Sequence, residues 1–93
     1  MTLNPDKRTV LHHPEKEDFE IDLGGDQAVL EYHLEGGTIY FLHTGVPPEY
    51  EGQGIASQLA RAGLDFARQQ GYRIVAQCSF VDAYLRRHPE YLA

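Results

Sequence analysis

The sequence predicts an α+β fold with the element order β-β-β-α-β-α, layered much as in three-layer α/β proteins. Three observations predict it. Apolar and polar residues alternate in three segments between positions 19 and 44, which is the period of half-buried strands. Apolar residues then recur at helical spacings of three and four from Ile55 to Phe66. A short apolar segment at residues 72–77 and a second helical spacing from about Ser79 complete the order.

The first two predicted strands end at paired glycines. Phe19, Ile21 and Leu23 alternate with acidic residues up to Gly24, and a second alternation covers residues 28–34. A two-residue turn at residues 36–37 then leads into a third strand at residues 38–44, giving a meander. This turn predicts three opposed pairs: Leu34 with Ile39, Tyr32 with Phe41, and Leu30 with His43.

A helix is predicted from about Gln53 to Gly71, which should end it as a left-handed cap residue. It connects the third strand to the fourth, so these two strands should be parallel with a right-handed crossover. In the final helix, Phe80, Ala83 and Tyr84 are predicted to share the buried face, and His88-Pro89 ends it.

The N-terminal residues 1–16 are predicted to be loosely ordered, and residues 17–93 to form a single domain. This N-terminal segment has neither helical nor strand periodicity. It contains charged residues together with Pro5, Pro14 and the His12-His13 pair. The two histidines have no further ligands at metal spacing, so no metal site is predicted.

Charge and composition exclude several classes of function. The net charge is −6 and the 8 Lys and Arg residues are scattered, which argues against nucleic-acid binding. There is no apolar segment of signal-peptide or membrane-spanning length, so no membrane association is expected. Cys78 is the sole cysteine, which excludes an internal disulfide and is typical of a reducing cytoplasm. A cytoplasmic protein is predicted, with its oligomeric state open.

The segment between the third strand and the first helix is glycine-rich. It reads Glu51-Gly52-Gln53-Gly54-Ile55-Ala56, and its small residues expose backbone where a helix begins. The free N–H groups and the dipole of a helix start favour a phosphate. The alternative is that the glycines only tighten the loop. It is neither a nucleotide-hydrolase phosphate loop nor a dinucleotide fingerprint, since it has no GK[ST] ending and no third glycine.

A longer pattern surrounds this turn. The segments HTGVPPEYEGQGIASQLARAGLDFAR and CSFVDAYLRRHPEY, separated by a strand, resemble the GNAT superfamily of N-acetyltransferases, and most of all its small single-domain members. The superfamily motif is Gln or Arg, two residues, Gly, one residue, then Gly or Ala. Gly54 and Ala56 match its last two small positions, and the resemblance covers roughly residues 19–91.

The resemblance implies a minimal acyl-CoA N-acyltransferase fold in which the third and fourth strands are parallel and splay apart. The pantetheine arm of coenzyme A would lie in the gap against Val46 and Pro47, and the N–H groups of residues 52–56 would hold the pyrophosphate. The implied reaction moves acetyl from acetyl-CoA, the cosubstrate, to an amine acceptor of unknown kind. Glu51 replaces the usual Gln or Arg, so either its carboxylate points away or coenzyme A binds less tightly.

Two residues are catalytic candidates. Cys78 follows the fourth strand at the sheet end where the turn opens; a lone cysteine can be a small buried apolar residue, but the resemblance implies a role in acetyl transfer. Its thiol could form an acetyl-cysteine or line the site for direct transfer. His43 ends the third strand and is a candidate general base, the alternative being a histidine buried beside Leu30 and Phe41. Glu31 is predicted on the opposite sheet face from His43.

The final helix offers weaker candidates. Tyr84 is a candidate cofactor-site residue that would donate a proton to the leaving thiolate, with a core position as the alternative. Arg86 and Arg87 could reach phosphates or simply complement the helix dipole. Because the chain has no helices between its first strands to build an acceptor pocket, the alternative function is a non-catalytic coenzyme-A-binding or protein-interaction module.

Overall fold

One five-stranded sheet carries two helices in the computed structural model, which describes residues 8–92. The strands are β1 Val10–His13, β2 Asp18–Asp22, β3 Gln27–Glu35, β4 Thr38–Gly45 and β5 Arg73–Ala76. The helices are α1 Ile55–Gln70 and α2 Ser79–Arg87, and short 3-10 turns cover Pro48–Tyr50 and Pro89–Leu92. Neither helix is long and apolar enough to cross a membrane.

The strands follow one another in chain order across the sheet, β1-β2-β3-β4-β5. The first four are antiparallel, and β5 lies parallel to β4 after the crossover through α1. Gly71 ends α1 with φ +72°, as predicted, and its N–H bonds to the carbonyls of Ala67 and Arg68. The α+β class and the parallel pairing predicted from the sequence are therefore found.

The prediction of a loosely ordered N-terminus is wrong for residues 10–13, which form strand β1, while residues 1–7 lie outside the described part. His12 lies on the core side of β1, stacked on Phe19 with ring centroids 4.1 Å apart and 4.5 Å from the ring of Phe66. Its Nε2 is 2.6 Å from the hydroxyl of Tyr32. Because His12 takes the place of an apolar core residue, the alternation in this strand is hidden when histidine is counted as polar.

The register between β3 and β4 agrees with the prediction up to a bulge. Leu34 faces Ile39 and Tyr32 faces Phe41, but Glu31 then faces His43, and Leu30 faces Thr44 rather than His43. Leu42 is the additional residue and has no partner in this register. The prediction that Glu31 and His43 lie on opposite faces is therefore wrong, because a bulge reverses the side-chain alternation beyond it.

Both helices pack against one face of the sheet, which we call the helical face. Its core includes Ile21, Leu30, Ile39 and Phe41 of the sheet, Leu59 and Leu64 of α1, and Val81, Tyr84 and Leu85 of α2. Gly63 brings α1 close, since a Cβ there would lie 2.8 Å from the Phe41 ring and 2.9 Å from Leu30. The predicted buried face of α2 is confirmed for Tyr84, and Phe80 is partly buried against the core. The prediction is wrong for Ala83, which is exposed, because Val81 and Leu85 complete the buried face instead.

The other side of the sheet, the open face, is covered by neither helix within residues 8–92, so the described chain has two layers rather than three. Register and strand alternation assign to it His13 of β1, Asp18 and Glu20 of β2, Val29 and Glu31 of β3, Tyr40 and His43 of β4, and Val75 of β5. This face is rich in carboxylates.

Candidate functional site

Strands β4 and β5 separate at their C-terminal ends. Their last paired residues are Phe41 and Ala76, whereas β4 continues to Gly45. The carbonyl of Phe41 accepts hydrogen bonds from the backbone N–H groups of both Gln77 and Cys78, each at 2.9 Å. Pairing therefore stops there and a gap opens between the strands, as the predicted splay requires.

A cavity of about 570 Å³ lies at this gap and extends to the start of α1. Six of the residues predicted to bind coenzyme A line it: Val46, Glu51, Gly52, Gly54, Ile55 and Ala56. Pro47 and Gln53 lie in the same segment but are not part of its wall. Sequence reasoning missed five lining residues, Thr44, Gly45, Tyr50, Ser57 and Phe80. Their aromatic and hydroxyl side chains carry no motif of their own, so only the fold reveals them.

The glycine turn presents uncovered backbone to the cavity. Gly52 and Gly54 have φ values of +81° and +80°, a conformation in which other residues are strained. Gly54 is the N-cap of α1, and no side chain caps this helix start. A Cβ at either glycine would meet no atom within 4 Å, so glycine is needed here for its backbone angles and not for space.

Charges of both signs lie beside the turn. Glu51 is exposed and is part of the cavity wall. Arg8 brings a compensating cation: its Nη2 donates a hydrogen bond to Oε1 of Gln53 at 3.0 Å. Its guanidinium also lies 5.9 Å from the ring centroid of Tyr50. Arg8 was missed because the segment before β1 was predicted to be loosely ordered.

Cys78 is buried and lies immediately before α2, with its Sγ 3.2 Å from the hydroxyl oxygen of Thr44. Burial raises the pKa of the Cys78 thiol, but the Thr44 hydroxyl and the backbone N–H groups of Phe80 and Val81 lower it, and the net pKa lies below the ordinary value. Neither N–H group forms a geometrically regular capping hydrogen bond with the sulfur, so Thr44 is the better-defined cause. The thiol therefore lies beside Thr44 of β4, and its lowered pKa favours the thiolate form.

His43 lies on the open face, whereas Thr44 and Cys78 meet on the helical side of β4. His43 is exposed, which excludes the alternative of a histidine buried beside Leu30 and Phe41. A Cβ on Gly45 would lie 3.2 Å from Nε2 of His43, so the imidazole lies over Gly45, a residue of the cavity wall. Glu31 is its direct neighbour across the strands. The structure therefore separates the two predicted catalytic residues by the thickness of the sheet.

The candidates on the final helix lie away from the cavity wall. Tyr84 is buried in the core, and its ring stacks on His88 with centroids 4.2 Å apart. Arg86 forms an ion pair with Asp82 at 3.1 Å, and Arg87 is exposed. This geometry agrees with the alternative interpretations, in which Tyr84 is a core residue and the two arginines are charges at the end of the helix.

The chain is similar in sequence and in fold to known proteins. Residues 18–93 match the family described as GCN5-related N-acetyl-transferase. Protein NATD1 of mouse (Mus musculus) is 37% identical over 83 residues, covering 86% of this chain and 76% of that protein. Protein NATD1 of zebrafish (Danio rerio) is 35% identical over 88 residues, covering 89% of this chain and 80% of that protein.

A solved structure agrees with these matches. It is the NMR solution structure of a protein from Staphylococcus aureus described as GCN5-like, with a TM-score of 0.70 and 29% identity, over 90% of this chain and 83% of that one. On these grounds the chain belongs to the GCN5-related N-acetyltransferase family.

Proposed function

We propose that this protein binds acetyl-coenzyme A in the cavity between β4 and β5 and transfers the acetyl group to a primary amine. One observation carries the proposal above all. A single cavity extends from a glycine-lined helix start that has no side-chain cap to the strand gap, and its wall includes Thr44, whose hydroxyl contacts the Cys78 thiol.

The dimensions and chemistry of the cavity fit coenzyme A. The N–H groups at the start of α1 suit the pyrophosphate, since a helix N-terminus favours an anion. Val46, Ile55 and Phe80 give the wall an apolar part suited to the pantetheine arm. Arg8, fixed by Gln53 beside the turn, offsets the unfavourable charge of Glu51.

Bound acetyl-CoA would supply an activated acyl group as a thioester. Cys78 is not part of the cavity wall itself but contacts Thr44, which is, with its Sγ 3.2 Å from the Thr44 hydroxyl oxygen. Its thiol, whose pKa is lowered, could have either of two roles. In the first, its thiolate attacks the acetyl carbon, the C–S bond to coenzyme A breaks, and the acetyl group then passes to the amine. In the second, the thiol lines the gap and the amine attacks directly.

The acceptor would approach from the open face. Glu31, an exposed carboxylate directly opposite His43, makes this part of the face acidic, which attracts an ammonium group. An ammonium must lose a proton before its nitrogen can attack, and His43 is a candidate to accept that proton because its imidazole lies over Gly45 of the cavity wall. Glu31, its cross-strand neighbour, would stabilise the protonated ring.

Turnover of acetyl-CoA with a panel of primary amines tests the proposal, alongside intact-mass analysis of the protein. We expect His43→Asn to lower turnover by about 100-fold, as for loss of a general base, with binding of coenzyme A unchanged. Cys78→Ala should lower turnover strongly if the acetyl group passes through the thiol, and little if the thiol only lines the gap. A matched control is His33→Asn, an exposed histidine on the same face that pairs with Glu17 and Glu35.

The outcomes separate the alternatives. An added acetyl group on the parent but not on Cys78→Ala indicates the covalent route, and turnover without it indicates direct transfer. Binding of coenzyme A without turnover of any amine would contradict the enzyme and favour a coenzyme-A-binding module. If acetyl-CoA causes no rise in melting temperature, the cavity does not bind it and the proposal fails.

A further inference from the structure

Three ligating side chains converge where β1 meets β2 on the open face, away from the cavity described above. His13 is the last residue of β1, and Asp18 and Glu20 lie on β2, with Asp18 directly opposite His13. Nδ1 of His13 is 3.1 Å from Oδ1 of Asp18 and 3.4 Å from Oε2 of Glu20. One ligand atom from each residue lies within 4.8 Å of the other two.

The two separations from Nδ1 of His13 are close to the edge lengths of a small metal tetrahedron. Bonds of about 2.0–2.2 Å from zinc to imidazole nitrogen and carboxylate oxygen, at tetrahedral angles, place two ligand atoms about 3.3–3.5 Å apart. The two edges from His13 are already within a few tenths of an ångström of that value. A cation could therefore be bound with little movement of the backbone.

The two carboxylates of the cluster share one imidazole nitrogen. Nδ1 of His13 can carry only one proton, so it can donate to only one of the two carboxylates. Lys16 reaches Glu20 alone, with its Nζ at 3.7 Å and its side chain 59% exposed. A cation bound between the three ligand atoms would contact both carboxylates at once.

Burial and access also fit a bound ion. Asp18 is the one buried charged residue among residues 8–92, at 9% exposure, and the side chain of Glu20 is 13% exposed. A buried carboxylate is costly unless it is paired or coordinates a metal. A shallow groove of about 570 Å³, lined in part by His13, Lys16 and Glu20, connects the cluster to solvent.

From this geometry we propose that His13, Asp18 and Glu20 form a binding site for a zinc ion, with water as the fourth ligand. One imidazole and two carboxylates are a donor set that zinc accepts. Zinc displaces Lys16 from Glu20 and ties β1 to β2. The site was not predicted from the sequence, because the adjacent His12 belongs to the core and the other two ligands come from the next strand.

The test is a titration of the metal-free, tag-free protein with zinc against a chelating dye, with cobalt as a spectroscopic probe. We expect one equivalent of zinc to bind and raise the melting temperature, and His13→Asn and Glu20→Gln each to weaken binding at least about tenfold. Tetrahedral cobalt should give strong visible absorption that both variants lose. His33→Asn is the control, because its two nitrogens face different carboxylates, at 3.2 and 3.5 Å, and cannot chelate with both.

Far-UV circular dichroism of each variant shows whether it remains folded, and Glu20→Gln, which preserves side-chain size, decides if His13→Asn does not fold. Zinc binding that is unchanged in Glu20→Gln, or that is lost instead in Cys78→Ser, would place the metal elsewhere and overturn the proposal. Absence of binding at millimolar zinc would overturn it as well.

Discussion

The two helices begin at the same cavity, and their first turns are built in opposite ways. Residues 51–54 before α1 are all exposed, and Gly54 caps the helix with no side chain. The N-cap of α2 is Cys78, which is buried with its sulfur beside Thr44. The start of α1 is therefore open to an external anion, whereas the dipole at the start of α2 acts on the thiol of Cys78.

This difference assigns separate tasks to equivalent positions. A helix N-terminus stabilises negative charge nearby, whether it belongs to a ligand or to a thiolate. At α1 the charge must come from the ligand, so changes there should alter binding. At α2 the charge develops on Cys78, so changes there should alter reactivity and its pH dependence.

The largest expected effect on this comparison comes from Gly54→Ala. The φ value of +80° at Gly54 costs a residue with a Cβ about 1–2 kcal/mol, so either the protein loses stability or the turn changes shape. We expect stability to fall by about 1 kcal/mol and the dissociation constant for coenzyme A to rise about tenfold, which corresponds to 1.4 kcal/mol. Calorimetric titration and thermal unfolding measure the two.

Gly71→Ala is the matched control, because Gly71 has φ +72° at the other end of α1 and lies away from the cavity. It should lose a similar amount of stability with coenzyme A binding unchanged. Equal affinities in the two variants would mean that the start of α1 does not hold the phosphates.

A smaller effect is expected at α2 from Thr44→Val, which removes the hydroxyl beside Cys78. Since that hydroxyl lowers the pKa of Cys78, the pKa should rise in the variant. Thiolate, the reactive form, accumulates as pH rises through the pKa, so the rate of alkylation by iodoacetamide should reach half its maximum at a higher pH. One hydrogen bond contributes about 1 kcal/mol, so the rate at pH 7 should fall roughly fivefold.

Ser57→Ala is the control for this variant, since Ser57 also places a hydroxyl in the cavity wall. Its alkylation profile should match that of the parent. A profile that is unchanged in Thr44→Val would show that Thr44 does not tune the thiol.

How far the sequence predicts this molecule depends on whether a feature is local. The glycine turn, α1 and its cap at Gly71 follow from spacing and residue type, and the structure has them where expected. The bulge at Leu42 is not local, because it depends on how two strands pair, and it brings Glu31 beside His43 against the prediction. The site is therefore predictable along the chain but not across the sheet.

Histidine explains why strand β1 was missed, because this residue type occupies both core and surface positions in this fold. His12 takes an apolar position against Phe19, and His13 faces two carboxylates of the next strand. Adjacent in sequence, they lie on opposite faces because β1 alternates. Neither role can be read from the pair alone, since the partners of both come from other strands.

The smallest expected effect comes from Glu51→Gln, which replaces the carboxylate at the start of α1 without changing its size. Glu51 lines the cavity, so removing its negative charge should favour binding of a phosphate there. A charge at a helix end contributes about 0.3–1 kcal/mol, so the dissociation constant for coenzyme A should fall roughly two- to fivefold at low salt. The gain should diminish as salt screens exposed charges.

Glu49→Gln is the control, because Glu49 lies in the exposed turn just before Glu51, and this substitution should change the dissociation constant little. If both substitutions tighten binding equally, the general negative charge of the protein opposes coenzyme A, and Glu51 has no special position.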